Sequence, residues 1–250
     1  MANTSARSFA IRETGRRVLN AFSEQKVAAL GRSLRLPPDA KVLDLACGKG
    51  EMLCTWARDH GVSGVGVDQS SFFLDDARAR AAELGVSDRI EFVEADAGRY
   101  VSAEPVDVAS CLGASWIAGG VDGIVGLLRG CLRPGGLMLV GEPYWRRRPD
   151  SPEALAACHA VDETSWASLA GLVEQFGALG CDVVQMVLAD HGDWDDYASG
   201  RWLAIRRWLD ANPDDELASD FRLELNESPL SHVRYLREYL GWGVFALMDR

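Results

Sequence analysis

A short apolar run that breaks into a glycine turn and then into a helix leaves a chain few ways to fold. Residues 41–60 are such a stretch. Lys41-Val42-Leu43-Asp44-Leu45-Ala46 reads as a strand, Cys47-Gly48-Lys49-Gly50 as a turn, and residues 50–60 as a helix. The unit then recurs. Residues 63–67 form a second strand closed by Asp68, and Ser70 or Ser71 caps a helix that runs to about Leu84 with Gly85 as its stop. Residues 89–94 alternate as a third strand, and 106–111 are a fourth. A helix over about 121–132 ends at Pro134-Gly135-Gly136, before a fifth strand at 137–142. A helix near 166–178 leads to a sixth strand at 181–189. Strands alternating with helices predict an α/β fold with a doubly wound, mostly parallel sheet.

Two stretches fall outside the repeat. Residues 1–36 read as helical, with Val27, Leu30 and Leu34 on one face, and are placed to pack on the sheet or cover a ligand mouth. Residues 190–240 read as a helical cap carrying twelve acids, six arginines and Trp194, Trp202 and Trp208, before a last short strand at 242–247. With no linker or repeat, 1–250 reads as one domain: N-terminal segment 1–36, core 37–189, cap 190–240 and final strand 241–250. The net charge of −11 argues against a nucleic-acid partner, because phosphate-binding surfaces are basic. No apolar run is long enough for a membrane span, and the N-terminus lacks the apolar region of a secretory signal. The six cysteines show no metal-ligand spacing and read as buried thiols, so a cytoplasmic location and no metal are expected.

The glycine turn carries the first chemical signal. Gly48 and Gly50 let a ligand approach the backbone, and the following helix offers free N–H groups. Dinucleotide enzymes use the same device, but their third glycine is replaced here by Leu53. Asp44 would repel a pyrophosphate and suit a ligand with an ammonium and a sulfonium. That favours S-adenosylmethionine (SAM) over NAD. Asp68, ending the second strand, can accept from both ribose hydroxyls. Asp96, after the third strand, can accept from an adenine amino group.

In this order and spacing, VLDLACGKGE, VGVDQS, FVEADA, VDVASCLGA and LRPGGLMLVGEPYW resemble the successive motifs of class I SAM-dependent methyltransferases. Nearly the whole chain, including EMLCTWARDHG, WIAGG and the ending GWGVFAL, is similar to bacterial small-molecule methyltransferases of the YjhP type. The resemblance implies a Rossmann-like seven-stranded sheet whose final strand is antiparallel. It also implies SAM as cofactor and S-adenosylhomocysteine as product. Gly48 and Gly50 would then line the methionine moiety, and Asp44 would hold the loop and the ammonium. Asp68 would bind the ribose, with Gln69 flanking the adenine, and Asp96 and Ala97 would meet the adenine. Cys111 and Leu112 would offer backbone to the methionine amine. Ala46 stands where the commoner motif has glycine.

The methyl acceptor should lie beyond the fourth and fifth strands. Trp116, Tyr144 and Trp145, with Trp194 from the cap, are the candidate substrate contacts. Glu142, Tyr144 and His191 are the candidate catalytic groups, because aromatics beside a carboxylate suit an amine and a histidine suits a base. Arg146-Arg147-Arg148 suits an anionic substrate or partners for the acidic cap. The reading is methyl transfer to a small molecule, at nitrogen or oxygen. The rival readings are a protein or RNA methyltransferase, a SAM-binding protein without turnover, and an NAD enzyme.

Overall fold

The computed structural model describes residues 2–250, and side chains from residue 6 onward. Helices α1 (Ala2–Arg12) and α2 (Glu24–Leu34) precede strand β1 (Lys41–Leu45), α3 (Glu51–His60), β2 (Ser63–Asp68), α4 (Ser71–Glu83) and β3 (Ile90–Glu94). Then come β4 (Val106–Leu112), α5 (Val121–Arg129), β5 (Leu132–Trp145), α6 (Pro152–Ala157), α7 (Leu169–Ala178) and β6 (Cys181–Leu188). Helices α8 (His191–Ala211) and α9 (Ala218–Ser231), a π turn at His232–Leu236 and the short α10 (Arg237–Tyr239) lead into β7 (Leu240–Asp249).

One seven-stranded sheet runs in the order β3-β2-β1-β4-β5-β7-β6. β7 is antiparallel to both β5 and β6, and the other recorded pairings are parallel. Chain order reverses at β1, which has β2 on one side and β4 on the other. That is where open α/β sheets present ligand crevices, outside the carboxyl ends of the strands.

The sheet is covered on both faces, which is why its inner strands are nearly continuous apolar runs. One face packs Val42, Val108 and Trp242 against Leu53, Trp56, Phe22 and Trp194. The other packs Leu43, Leu45, Met138 and Phe245 against Ile124, Leu128 and Phe176. Serine caps begin α2, α4, α6 and α7, and Ser70 accepts from the Phe73 N–H at the start of α4.

Several boundaries differ from the sequence reading: residues 13–22, read as helical, lie outside α1 and α2, α7 starts at Leu169 rather than near 166, and the last strand runs Leu240–Asp249 rather than 242–247. The helix after β4 stops at Arg129, and Pro134-Gly135-Gly136 lies inside an irregular start of β5, where the register with β4 shifts. β5 also continues past Glu142 to Trp145, because Pro143–Trp145 pair with Leu240–Trp242 of β7. All six cysteines are free. No described helix is long and apolar enough to cross a membrane.

Candidate active site

The end of β1 and the turn after it form the floor. Asp44 is 4% exposed, and burial pushes its pKa up to about 7; the neighbouring Asp68 charge acts the same way and Ser110 opposes both. Ser110 Oγ lies 2.8 Å from Asp44 Oδ1 and 3.0 Å from the Leu43 carbonyl. The hydroxyl has one proton for two acceptors. A protonated Asp44 completes the chain Asp44 to Ser110 to Leu43, whereas an ionised one competes with Leu43 for it. A cation beside Asp44 would offset the burial cost of its charge, so the site fits an ammonium or sulfonium and disfavours an anion.

Asp68 clamps the turn: Oδ2 accepts from the Gly48 N–H and Oδ1 from the Ser70 N–H, both at 2.9 Å. Each oxygen keeps a lone-pair direction, enough for a vicinal diol. Ala46 adopts φ 57°, a left-handed conformation that glycine takes without strain, which accounts physically for the glycine at this place in the commoner motif. Gln69 is exposed beside Asp68. Asp96 is also exposed; its Oδ1 accepts from the Gly98 N–H at 3.0 Å and its Oδ2 lies 3.6 Å from Arg99 Nε of the same turn, and Ala97 is buried next to it. Cys111 is buried at the end of β4, and Leu112 follows it.

A roof over this floor comes from residues 13–22, between α1 and α2. Leu19 Cδ1 lies 2.9 Å from where a Cβ on Gly48 would stand. Asn20 Nδ2 donates to the Leu112 carbonyl at 3.0 Å, and its Oδ1 occupies the space a Cβ on Gly113 would need. Lys49, inside the glycine turn, donates to the Glu13 carbonyl at 3.0 Å and pairs with Asp76 at 3.0 Å. Tyr197 of α8 donates toward the Leu19 carbonyl at 3.3 Å. Sequence reasoning missed Leu19, Asn20, Lys49, Ser110, Ser115 and Tyr197. Only the position of Ser110 and Ser115, at and after the end of a strand, could have pointed to any of them. A groove of about 290 Å³ lined by Gly15, Arg16, Phe22, Asp193 and Asp196 lies between this segment and α8, and no residue of the glycine turn lines it.

On the acceptor side, Glu142 is 7% exposed on β5, one rung beyond the Leu112–Gly141 pair. Its Oε1 accepts from Ser115 Oγ at 3.0 Å, while Oε2 is buried with no partner. Burial pushes its pKa up to about 7, with Ser115 opposing. Strand alternation puts Tyr144 on the face of Glu142 and Trp145 on the opposite face. Tyr144 is buried, its ring lying across Gly241 of β7. Trp145 belongs to the core and donates from Nε1 to the Glu163 carbonyl at 2.8 Å.

The remaining candidates are spread apart. Trp194 is buried in the same core as Trp145, edge-on to Tyr197. Trp116 is 69% exposed on the 3-10 turn Ser115–Ala118. His191 opens α8 just after β6, the edge strand, with β7 between β6 and β5, and no hydrogen bond joins it to Glu142. Arg146 donates to the carbonyls of Leu240 and Ala189, Arg147 pairs with Asp150, and Arg148 with Glu163. The arginine run is thereby engaged with the chain's own acceptors.

Comparison with known proteins agrees with this geometry. Residues 42–136 match the methyltransferase domain family. The chain is 53% identical to the Escherichia coli K12 protein YjhP over 244 residues, covering 98% of each. A SAM-dependent methyltransferase of Geobacter sulfurreducens, solved with S-adenosyl-L-homocysteine, superimposes with a TM-score of 0.96 at 52% identity over 98% of both chains. One from Thiobacillus denitrificans, solved with the same ligand, gives the same values. The glycine turn with its two buried acids, the reversal of strand order at β1 and full-length likeness therefore converge, and the chain belongs to the class I SAM-dependent methyltransferases of the YjhP type.

Proposed function

We propose that the chain methylates a nitrogen or oxygen atom of a small molecule presented to Glu142, with Asp44, Asp68, Asp96 and the backbone around Gly48, Gly50 and Cys111–Leu112 holding SAM. The observation that carries the acceptor side is the bare, buried Oε2 of Glu142. A buried carboxylate oxygen without a donor is costly, and a substrate N–H or O–H supplies that donor. SAM supplies a methyl group on a sulfonium, already an excellent leaving group. What remains for the protein is to align the acceptor, exclude water and take a proton where the nucleophile carries one. A carboxyl group poised near neutrality can take that proton, and Ser115 fixes its rotamer.

Small acceptors are favoured over macromolecules because segment 13–22 and helix α8 lie over the strand ends. The charge of −11 disfavours RNA further. Tyr144 lines the same face as Glu142, and exposed Trp116 stands beside Ser115 at the rim. His191, Trp145 and Trp194 have no part in this reading. The chain acts as a single unit, since its N-terminal segment, core and cap all meet at the roof.

The test is Glu142→Gln, which keeps shape and removes the base. Turnover of labelled SAM with a metabolite extract should fall by about 100-fold or more. Affinity for S-adenosylhomocysteine should stay within about twofold, because no hydrogen bond to the cofactor is removed. An equal loss of cofactor affinity would move Glu142 into the cofactor site.

A further inference from the structure

Glu142 stands among charges of its own sign. Burial raises its carboxyl and the Ser115 hydroxyl opposes, and among the described residues no basic side chain takes part. The charge with which it shares a neighbour is acidic. Cys111, at the end of β4, has its thiol pushed up first by burial and then by Asp44 of β1 and Glu142 of β5, the strands on either side. The basic side chains around the strand ends are engaged elsewhere. Lys26 pairs with Asp190 and Asp193, Arg146 donates to the Leu240 and Ala189 carbonyls, Lys49 pairs with Asp76, and Arg16 and Arg201 face Glu13. An anionic acceptor would find no basic side chain to meet it, and a buried charge without a partner is costly.

The buried Oε2 of Glu142 lacks a donor, and the site's charge decides which donor suits it. A hydroxyl that hands its proton to the carboxylate keeps the negative charge in the same buried place. An ammonium that does so leaves two neutral groups. Burial also raises a carboxyl and lowers an ammonium, so their proton affinities converge from roughly 4 and 10 and the transfer approaches balance. Tyr144, two residues on and on the same face, is buried and presents an aromatic ring, a surface that attracts cations.

We propose that the methyl acceptor is a primary or secondary amine that enters as its ammonium, with Glu142 as its counter-charge and the acceptor of its proton. The inference rests on Glu142 facing the acceptor, and it narrows the choice between nitrogen and oxygen to a basic nitrogen. Such an ammonium has at least two N–H groups, one to give up and one to keep on the carboxyl group while the lone pair turns to the methyl. An N–H proton passes to Glu142 Oε2 and leaves a neutral amine. The nitrogen lone pair forms the bond to the methyl carbon as the carbon–sulfur bond breaks, its electron pair staying on sulfur. The products are a methylated ammonium and the neutral thioether S-adenosylhomocysteine, and the carboxyl proton returns to solvent.

The first test uses wild type alone. One half of a metabolite extract is treated with N-acetoxysuccinimide and then hydroxylamine, which caps primary and secondary amines and leaves hydroxyls free. Methyl-labelled SAM should label the untreated half, and capping should remove about 90% or more of that label, as expected when one class of nucleophile carries the reaction. Labelling that survives capping overturns the proposal. The second test reads binding alone. The chain saturated with S-adenosylhomocysteine is titrated calorimetrically with ethylammonium and benzylammonium chlorides and with the matching alcohols. At least one ammonium should bind about tenfold or more tighter than its alcohol, and Glu142→Gln should bring the two within about twofold. Ammonium ions that bind no better than their alcohols overturn the proposal, as does a preference that survives in the variant. The two readings fail separately. Unchanged turnover in Glu142→Gln removes Glu142 from the acceptor site, whereas lost turnover in that variant with full labelling of the capped extract by wild type removes only the amine.

Discussion

Single residues of the floor can be placed from sequence because each stands at a strand end, and strand ends in an open α/β sheet converge on one crevice. Asp44 and Asp68 are such positions, whereas Glu142 lies three residues before the end of β5 and ends only the strand that the sequence signals. The aromatics were harder. A strand signalled only over 137–142 assigns no parity to the residues beyond it, so Tyr144 and Trp145 look equivalent. β5 continues to Trp145, and alternation then separates them onto opposite faces. Ala46 shows how little sequence says about strain. It is partly buried against the core at φ 57°. The left-handed conformation costs a non-glycine residue roughly 1–2 kcal/mol, partly offset because alanine loses less chain entropy than glycine and packs its Cβ. Ala46→Gly should therefore be neutral or stabilising by up to about 1 kcal/mol, against the usual loss for such a change. Urea unfolding measures it, and a clear loss of stability would mean that Cβ packing outweighs the strain.

At the level of elements, caps and apolar periods were legible, and Ser70, one of the two serines its sequence offers, caps helix α4. Segment 13–22 was not. Its contacts run largely through main-chain carbonyls and one amide, at Glu13, Leu19 and Asn20, and backbone groups leave no trace in hydrophobic pattern. The docking of this segment depends on Gly113, which has φ 84° and no Cβ to meet Asn20. Gly113→Ala is expected to cost about 1–3 kcal/mol from backbone strain together with the clash. The sharper readout is local: trypsin should cut at Arg16–Arg17 faster once Asn20 is displaced. Adding Asn20→Ala removes the clash but keeps the φ strain, and so restores only part of the stability. An unchanged cleavage rate in the single variant would show that Asn20 does not hold the segment down.

Across the whole molecule, the site leaves its mark on the pH dependence of stability. Glu142 and Asp44 both titrate at about 7 when folded, raised chiefly by burial, and burial raises Glu13 as well. Unfolded carboxyls titrate near 4. Between these values the folded chain holds more protons than the unfolded one, so its stability falls as pH rises through the window and levels off above about 7. Each of the two main groups contributes at most about 4 kcal/mol to that fall. Asp190 has the opposite sign: hydrogen bonding from Lys26 first, then from the Asp193 N–H, holds it down at about 2, so its contribution is lost only in strong acid. Stability should accordingly peak near pH 4 and decline toward pH 8, a cost accepted for having two carboxylates ready to meet a cation and an acceptor. Glu142→Gln cannot ionise. It should match wild type at pH 4 and exceed it at pH 8, while losing turnover. Urea midpoints of both chains at the two pH values make the comparison. If the decline keeps its full size in the variant, Glu142 ionises without a burial penalty and its Oε2 has a solvent partner, which would remove the physical basis for its role at the acceptor.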